Sequence, residues 1–557
     1  MSLILGHEWS RGRSARRTHN QKHSGWSDPV QATWRRATLI VAAMRTPAAQ
    51  LVRNTFASAA GSVTSILIGL ALTPFLIHRL GLEAYGVWAF AVTLTLGSGY
   101  ASFSALGIEG ATVRYVAEAL DERDPEALNR TVASSLVLFC AIAAVLTPLT
   151  IALAHVLVLA IGVSPRLRDA ATACFALIGA QLAFELPARA FVAVLEGTQK
   201  FVNFQLVELG RALAQAVLFV LAVLAGWGVA GLGVAQAVTT LAALIAYWLL
   251  AHRAVAGLRA GPRHVRRAEL ARLVRFGGGV FSLRLTSVVY NQIDKAIVGL
   301  ALGARQVGLY EIANKVNLSA ATIATVSVSA VVPAAASQRR DRNVLRDMYV
   351  RGSCYATAAS LPFAVAAFVF ARPLLLSWIG PTAAPAVGAA QLFVVYEGVQ
   401  TVQNVGATML YGLGRIRLPL IVNLGATALN VALSIALVYP LGFVGVILGT
   451  LIANGLAWPV LLWNYLREFE CSLGVWLRRL LGPNLPGLAL QVGVSLALYE
   501  AVGRDTRSLL VAGLLFAVSV AVSLSVFVTI GLRGEDRRAL LEVVRQALFV
   551  SRRRVPA

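Results

Sequence analysis

The sequence predicts an all-α polytopic membrane protein with about 14 transmembrane helices, and three observations carry that prediction. The chain of 557 residues is 57% hydrophobic, with mean hydropathy +0.71, and only 13% of its residues are charged. Soluble domains are about a quarter charged. Second, apolar runs long enough to span a bilayer recur throughout; a span needs roughly 20 residues, because each residue of a helix rises about 1.5 Å against a hydrocarbon core of about 30 Å. Third, the basic residues behind the formal net charge of +23 fall in alternate loops.

Taken in order, residues 1–54 are a polar and basic tail with no apolar run following Arg16 and Arg17. That argues against a secretion signal and predicts a disordered cytoplasmic segment, with Met44 as an alternative start. Spans at 55–78, 84–107, 132–157, 170–194, 205–227 and 229–251 form a first six-helix bundle over 55–251. A basic linker, 252–275, contains "HRAVAGLRAGPRHVRRAELARLVR" in its neighbourhood. Spans at 276–302, 307–334, 353–378, 386–412, 418–439 and 441–464 form a second bundle over 276–466. Two further spans, 484–502 and 509–531, lie within 467–531, and a second basic tail occupies 532–557.

Arginines crowd the first flank, the 252–275 linker, "RRDRNVLRDMYVR", "RIR", Arg478 with Arg479, and the tail. The intervening loops carry little more than Arg79, Arg166, Arg168, Arg305, Arg504 and Arg507, and each is short. By the positive-inside rule both termini are cytoplasmic and the number of spans is even. Membrane orientation thus accounts for the basic charge, and a nucleic-acid partner is excluded as its explanation. Cys140, Cys174, Cys354 and Cys471 have no metal-ligand spacing and read as small core residues. No nucleotide-binding glycine loop, zinc motif or catalytic triad spacing is present, and the outer loops are too short for an external catalytic domain, which argues against an enzyme.

The chain repeats itself. "VTSILIGLALTPFLIHRLGLEAYGVWAFA" from residue 63 aligns without gaps to "LTSVVYNQIDKAIVGLALGARQVGLYEIA" from residue 285, with identities at Thr64/Thr286, Gly81/Gly303 and Gly86/Gly308. "VLEGTQKF" from 194 likewise matches "MLYGLGRI" from 409. A shift of six spans preserves orientation, so the halves are parallel repeats, and transporters bind substrate between such halves.

Polar residues keep this register. Gln181, Glu185 and Arg189 are spaced four apart on one helical face, and their counterparts are Tyr396, Gln400 and Asn404. Glu208 and Gln215 correspond to Asn423 and Asn430, with Arg211 between the first two. Lipid is an expensive place for such side chains, so the two stripes are expected to share an aqueous cavity, charged on the first half and mostly neutral on the second. The segment "SLRLTSVVYNQIDKAIVGLALG", residues 282–303, adds Arg284, Tyr290, Asn291, Asp294 and Lys295; one face is expected to carry Asn291, Asp294 and Lys295 together. Glu311 and Lys315 follow on the next span. Arg189, Arg211 and Arg284 make an inner tier of cations, and Lys295 and Lys315 an outer one. Simple i,i+4 pairing accounts equally for Glu185 with Arg189 and for Glu311 with Lys315, whereas Asp294 and Arg284 have no same-helix partner of opposite charge at three or four residues.

At "TPFLIHRLGLEAYGVWAFAVTLTLGSGYASFSALGIEGATVRYVAEA", residues 73–119, and at "YNQIDKAIVGLALGARQVGLYEIANKV", residues 290–316, the chain resembles the polysaccharide (Wzx-type) flippases of the MATE-like multidrug/oligosaccharidyl-lipid/polysaccharide exporter superfamily. One departure is Ala105-Leu106-Gly107 where that family often has Asp-Leu-Gly. The resemblance implies two six-helix bundles around a central cavity, two additional C-terminal helices, and location in a bacterial inner membrane. It implies translocation of undecaprenyl-pyrophosphate-linked oligosaccharide to the periplasmic leaflet for O-antigen, capsule or exopolysaccharide synthesis, with membrane lipids and polysaccharide polymerase or assembly proteins as partners.

For such a substrate, Arg189, Arg211, Arg284, Lys295 and Lys315 are the candidates to hold the pyrophosphate. Gln181, Gln215, Tyr290, Asn291, Tyr396, Gln400, Asn404, Asn423 and Asn430 are the candidates for the sugar. Asp294, Glu311, Glu185 and Glu208 are the candidates to couple transport to H+ or Na+. No cofactor or bound metal is expected. A lipid II flippase and a multidrug antiporter of the same fold are the rival readings.

Overall fold

Each of the fourteen predicted apolar runs falls on helix wherever the computed structural model describes it, namely residues 47–94, 102–328, 341–504, 506–532 and 537. Within these, the side chains of 47–60, 62, 63, 65, 102–106, 278–291, 320 and 322–328 lie outside the described set. Residues 57–557 form one compact unit; the other, residues 1–56, is described from Pro47 onward, as the first turns of α1.

The helices are α1 (Pro47–Leu80), α2 (Leu82–Ala91), α3 (Ser102–Asp121), α4 (Pro125–Ala160), α5 (Arg168–Gly197), α6 (Phe201–Leu224) and α7 (Gly228–Ala254) in the first half. In the second half, α8 (Arg267–Leu302), α9 (Ala304–Val328), α10 (Arg342–Val369), α11 (Ala371–Trp378), α12 (Val387–Gly412) and α13 (Arg417–Glu468) are followed by α14 (Leu473–Leu498) and α15 (Leu509–Val526). No strand occurs among the described residues.

Two boundaries differ from the sequence reading. The second span continues past residue 107 as α3 to Asp121. The ninth is two helices, α10 and α11, because Pro373 fits the first turn of a helix but not its interior. The eleventh and twelfth spans are the two arms of α13, which turns back between them at Gly442 (φ 63°, ψ −152°), a conformation open to glycine.

Eight described helices are long and apolar enough to cross a membrane, α13 among them. Of the other predicted spans, those on α8, α9 and α12 carry the polar residues singled out above. Lipid-facing surface is recognisable on α4, α6 and α15, where Val145, Leu213, Leu221 and Leu510 stay at least half exposed. Cys174, Cys354 and Cys471 are buried as expected, but Cys140 is exposed among these apolar side chains on α4.

The repeat has a direct structural signature. Gly81 and Gly303, equivalent by alignment, share nearly the same conformation (φ 85°, ψ 162° and φ 90°, ψ 171°) and open α2 and α9. Those helices then pack reciprocally: Gly86 lies against the backbone of Ala304, and its counterpart Gly308 lies against Leu82, the counterpart of Ala304. A contact that maps onto itself under exchange of the halves is what a two-fold relation between repeats requires. A methyl group at Gly86 would overlap the Ala304 carbonyl, so the close approach depends on glycine.

Burial is uneven along the membrane normal. At the end away from the basic loops, one large cluster joins the halves, with Tyr85 and Phe90 of α2, Phe175 of α5, Leu232 of α7, Val307 and Ile312 of α9, and Phe393 of α12. At the basic end each half has its own core. Val116, Leu128, Phe191 and Tyr247 belong to the first, and Tyr349, Tyr465, Phe469 and Trp476 to the second. There the halves meet through α3 and α8: Gly107 against Gly277, Arg272 bound to Glu118 at 3.1 Å, and the Arg272 guanidinium 3.8 Å over the Tyr115 ring. Among the described residues the halves therefore touch at both ends, and at the basic end Ala111, Tyr115, Leu273 and Phe276 add an apolar cluster to the contact.

Candidate functional site

A buried polar cage surrounds Asp294, which is 4% exposed. Thr450 donates to its Oδ2 at 2.7 Å and Asn430 donates to its Oδ1 at 3.2 Å. Asn430 Oδ1 in turn accepts from the Ser434 and Thr450 hydroxyls, each at 3.0 Å. The fold at Gly442 builds this cage. It lays the two arms of α13 side by side, so that Asn430 and Ser434, one turn apart on the first arm, face Val446 and Thr450, one turn apart on the second. Among the described residues all partners of the carboxylate are neutral, and the oxygens of Asn430, Ser434, Thr450 and Val446 belong to one hydrogen-bonded network beside it. Hard monovalent cations and protons are the species such oxygens bind.

Lys295, the adjacent residue, turns to a different neighbour. Its ammonium lies 2.7 Å from Glu311 on α9, and Lys315 lies 3.4 Å from the other oxygen of the same carboxylate. The expected single face for Asp294 and Lys295 is thus corrected: consecutive residues on a helix point about 100° apart, and here one serves α13 and the other α9. Lys295 and Glu311 are nearly buried, at 11% and 8% exposure, and Lys315 is 22% exposed.

In the first half, Arg189 lies 3.6 Å from Glu109 on α3 and 4.0 Å from Glu185. Arg211 is held more closely by Glu208, at 2.6 Å, and reaches Gln215 Oε1 at 3.5 Å. Tyr247 on α7 donates to the other Glu208 oxygen at 2.5 Å. Gln181 donates to Glu185 at 3.5 Å and accepts from Thr240 at 3.4 Å. The expected surplus of positive charge is not found in this cluster: Arg189 and Arg211 face three carboxylates, Glu109, Glu185 and Glu208. The physical reason is that an ionised group inside a span needs a counter-charge. Both arginines are nevertheless partly exposed, at 24% and 32% of their side chains.

On α12, Gln400 donates to the Tyr396 hydroxyl at 2.6 Å. Asn404 and Asn423 are half-buried. Asn430, expected beside them, belongs to the Asp294 cage instead. Arg284, Tyr290 and Asn291 lie on α8 among the residues whose side chains fall outside the described set. Sequence reasoning missed Glu109, Tyr247, Ser434 and Thr450, each a partner from another helix. It also missed Glu397, buried on α12 beside Tyr396.

These features define a class: a multi-pass, all-α membrane protein with repeated halves and charged residues paired inside. The chain belongs to the family described as polysaccharide biosynthesis protein, whose model matches residues 79–387. Among solved structures it is similar to the lipid II flippase MurJ in an inward closed conformation (TM-score 0.66, 13% identity, covering 86% of this chain and 98% of that one). It is also similar to an inward-facing multidrug resistance MATE family transporter of the MOP superfamily (0.56, 18% identity, 74% and 94%). A third similar structure is the MATE multidrug transporter DinF-BH in complex with R6G (0.57, 19% identity, 77% and 98%). At these identities the likeness is one of fold. No curated protein matches the chain in sequence.

Proposed function

We propose that this protein moves an oligosaccharide linked to undecaprenyl pyrophosphate from the cytoplasmic to the periplasmic leaflet of a bacterial inner membrane, for polysaccharide synthesis. The observation that carries the reading is the pair of intramembrane arginines, Arg189 and Arg211. Each is held by carboxylates yet remains partly exposed, in a chain of the polysaccharide biosynthesis family. A carboxylate partner keeps a guanidinium from standing unpaired in the resting state. An arriving pyrophosphate, with more charge and more acceptor oxygens, exchanges for that partner and takes a bidentate contact. The contacts of Arg189, at 3.6 and 4.0 Å, are the easier to exchange.

Alternating access then follows from opening one end at a time. Parting of the α3–α8 contact, where Arg272 meets Glu118, admits the headgroup. The shared apolar cluster at the other end opens when the halves rock about the reciprocal α2–α9 contact. Polar side chains at Gln181, Gln215, Tyr396, Gln400, Asn404 and Asn423 receive the sugar, while the polyprenyl tail stays in lipid. Uptake of H+ or Na+ by the Asp294 cage couples the cycle to an ion gradient, because loading changes the charge between α8 and the two arms of α13. Both termini face the cytoplasm, and polysaccharide polymerase and assembly proteins take the product on the other side.

A second reading, export of an organic cation, draws on the excess of carboxylates in the first-half cluster. Deleting the gene separates the two. Lipid-linked oligosaccharide accumulating on the cytoplasmic face supports the flippase, whereas unchanged lipid-linked pools with increased sensitivity to lipophilic cations favour the second.

A further inference from the structure

A cavity of about 360 Å³ lies apart from all these clusters, at the basic end of the second half. It is enclosed by the first turns of α10, by α14 and by the end of the helix that α15 begins. Arg346 and Arg351 of α10 and Arg479 of α14 line it, together with Asn343, Asp347 and Tyr355. Arg351 is bound to Asp347 at 2.7 Å, one turn earlier on the same helix. Arg346 and Arg479 form no ion pair among the described residues and are exposed. The lining thus presents three guanidinium groups against one carboxylate.

The frame around this cavity is rigid. Asn484 donates to the backbone carbonyls of Leu480 at 2.7 Å and Cys354 at 3.3 Å, tying α14 to α10. Gln491 continues the seam by donating to the Pro362 carbonyl at 2.6 Å and to Ser519 on α15 at 3.1 Å. Gly531 sits so close to Pro483 that an added Cβ would lie 2.7 Å from its carbonyl oxygen, and Tyr355 meets Phe527 edge to face. Among the lining residues Val475 and Tyr355 are exposed, at 42% and 37%, and Val350 and Pro483 add apolar surface.

We infer that this cup binds the phosphate of an anionic phospholipid headgroup from the leaflet on the basic side of the membrane. Guanidinium groups match phosphate oxygens in pairs, and anionic leaflets concentrate that ligand beside basic residues. The apolar part of the lining is what distinguishes a lipid from a soluble anion, since acyl chains cover Val475 and Tyr355 while the headgroup enters. The site binds α10, α14 and α15 together and takes no part in holding the transported substrate.

The test uses the purified full-length protein with defined lipid probes: phosphatidylglycerol, phosphatidylcholine with the same acyl chains, and inorganic phosphate. Bound lipid is counted by native mass spectrometry. The wild type retains phosphatidylglycerol over phosphatidylcholine, and inorganic phosphate does not displace it. Arg346→Gln with Arg479→Gln weakens retention about tenfold or more, as expected for losing charge-assisted hydrogen bonds. A control pair in the 252–275 linker, Arg263→Gln with Arg266→Gln, leaves it unchanged. Should the double variant fail to fold, Arg479→Gln alone decides, because that side chain is exposed on α14. Undiminished phosphatidylglycerol retention in the folded variant overturns the proposal. So does equal retention of phosphatidylcholine, or displacement by inorganic phosphate, which would mark a soluble-anion site.

Discussion

Replacing Thr450 by valine removes one oxygen from the Asp294 cage and leaves the carboxylate itself, and nearly the same shape, in place. The hydroxyl is the closest partner of Asp294, at 2.7 Å, and also meets Asn430 Oδ1 at 3.0 Å. A hydrogen bond to a charged group contributes roughly 1.5–3 kcal/mol, and a buried donor site turned apolar cannot recover it from water. If the cage is where the coupling ion binds, Thr450 Oγ1 is one of its ligands. An interaction of that size then corresponds to about a 10- to 100-fold weaker ion affinity, at about 1.4 kcal/mol per tenfold. The assay is translocation of lipid-linked oligosaccharide into vesicles across a titrated Na+ or H+ gradient, comparing the half-saturating ion concentration of Thr450→Val with that of the wild type. The expected result is a large shift in that concentration with little change in the maximal rate. A lowered Tm with an unshifted ion dependence would refute the reasoning, because it would make the cage a structural hydrogen-bond network only.

Asp294→Asn should abolish the ion dependence altogether while leaving the protein folded, since the amide can still accept from Thr450; the same vesicle titration reads it. Arg211→Gln should cut translocation by more than tenfold without lowering expression, and Arg211→Lys should recover part of it, because charge survives but bidentate geometry does not. Lys295→Met leaves Glu311 with Lys315 alone and should cost about 3 kcal/mol of stability. Adding Glu311→Gln should restore part of that loss, as thermal unfolding of the single and double variants will show. Gly86→Val should block translocation by preventing the α2–α9 approach, seen as increased labelling of a cysteine placed at Ala304 from the outer face.

Helix number and order were legible because hydrophobic runs of bilayer length, separated by short polar loops, leave few alternatives. The break before α11 was less so, since one proline in an apolar run does not announce how the chain bends. Among the charged residues, partners one turn apart were readable: Glu185 with Arg189 and Glu311 with Lys315 both occur. Partners across helices were not. Nothing local links Glu109 to Arg189, Tyr247 to Glu208, or Thr450 to Asp294, and the contacts exist only because α3, α7 and the second arm of α13 pack where they do. Lys295 shows the same limit from the other side, since its neighbour in sequence serves a different helix. Glu397 was a plain charged letter in an apolar span, passed over because it breaks the four-residue spacing of Tyr396, Gln400 and Asn404.

The measurement closest to the central claim is transbilayer movement of a fluorescent undecaprenyl-pyrophosphate oligosaccharide in vesicles containing only this protein. The account requires ion-gradient-dependent movement that falls more than tenfold in Arg211→Gln. No movement of the glycolipid, alongside saturable export of a lipophilic organic cation by the same vesicles, would contradict it.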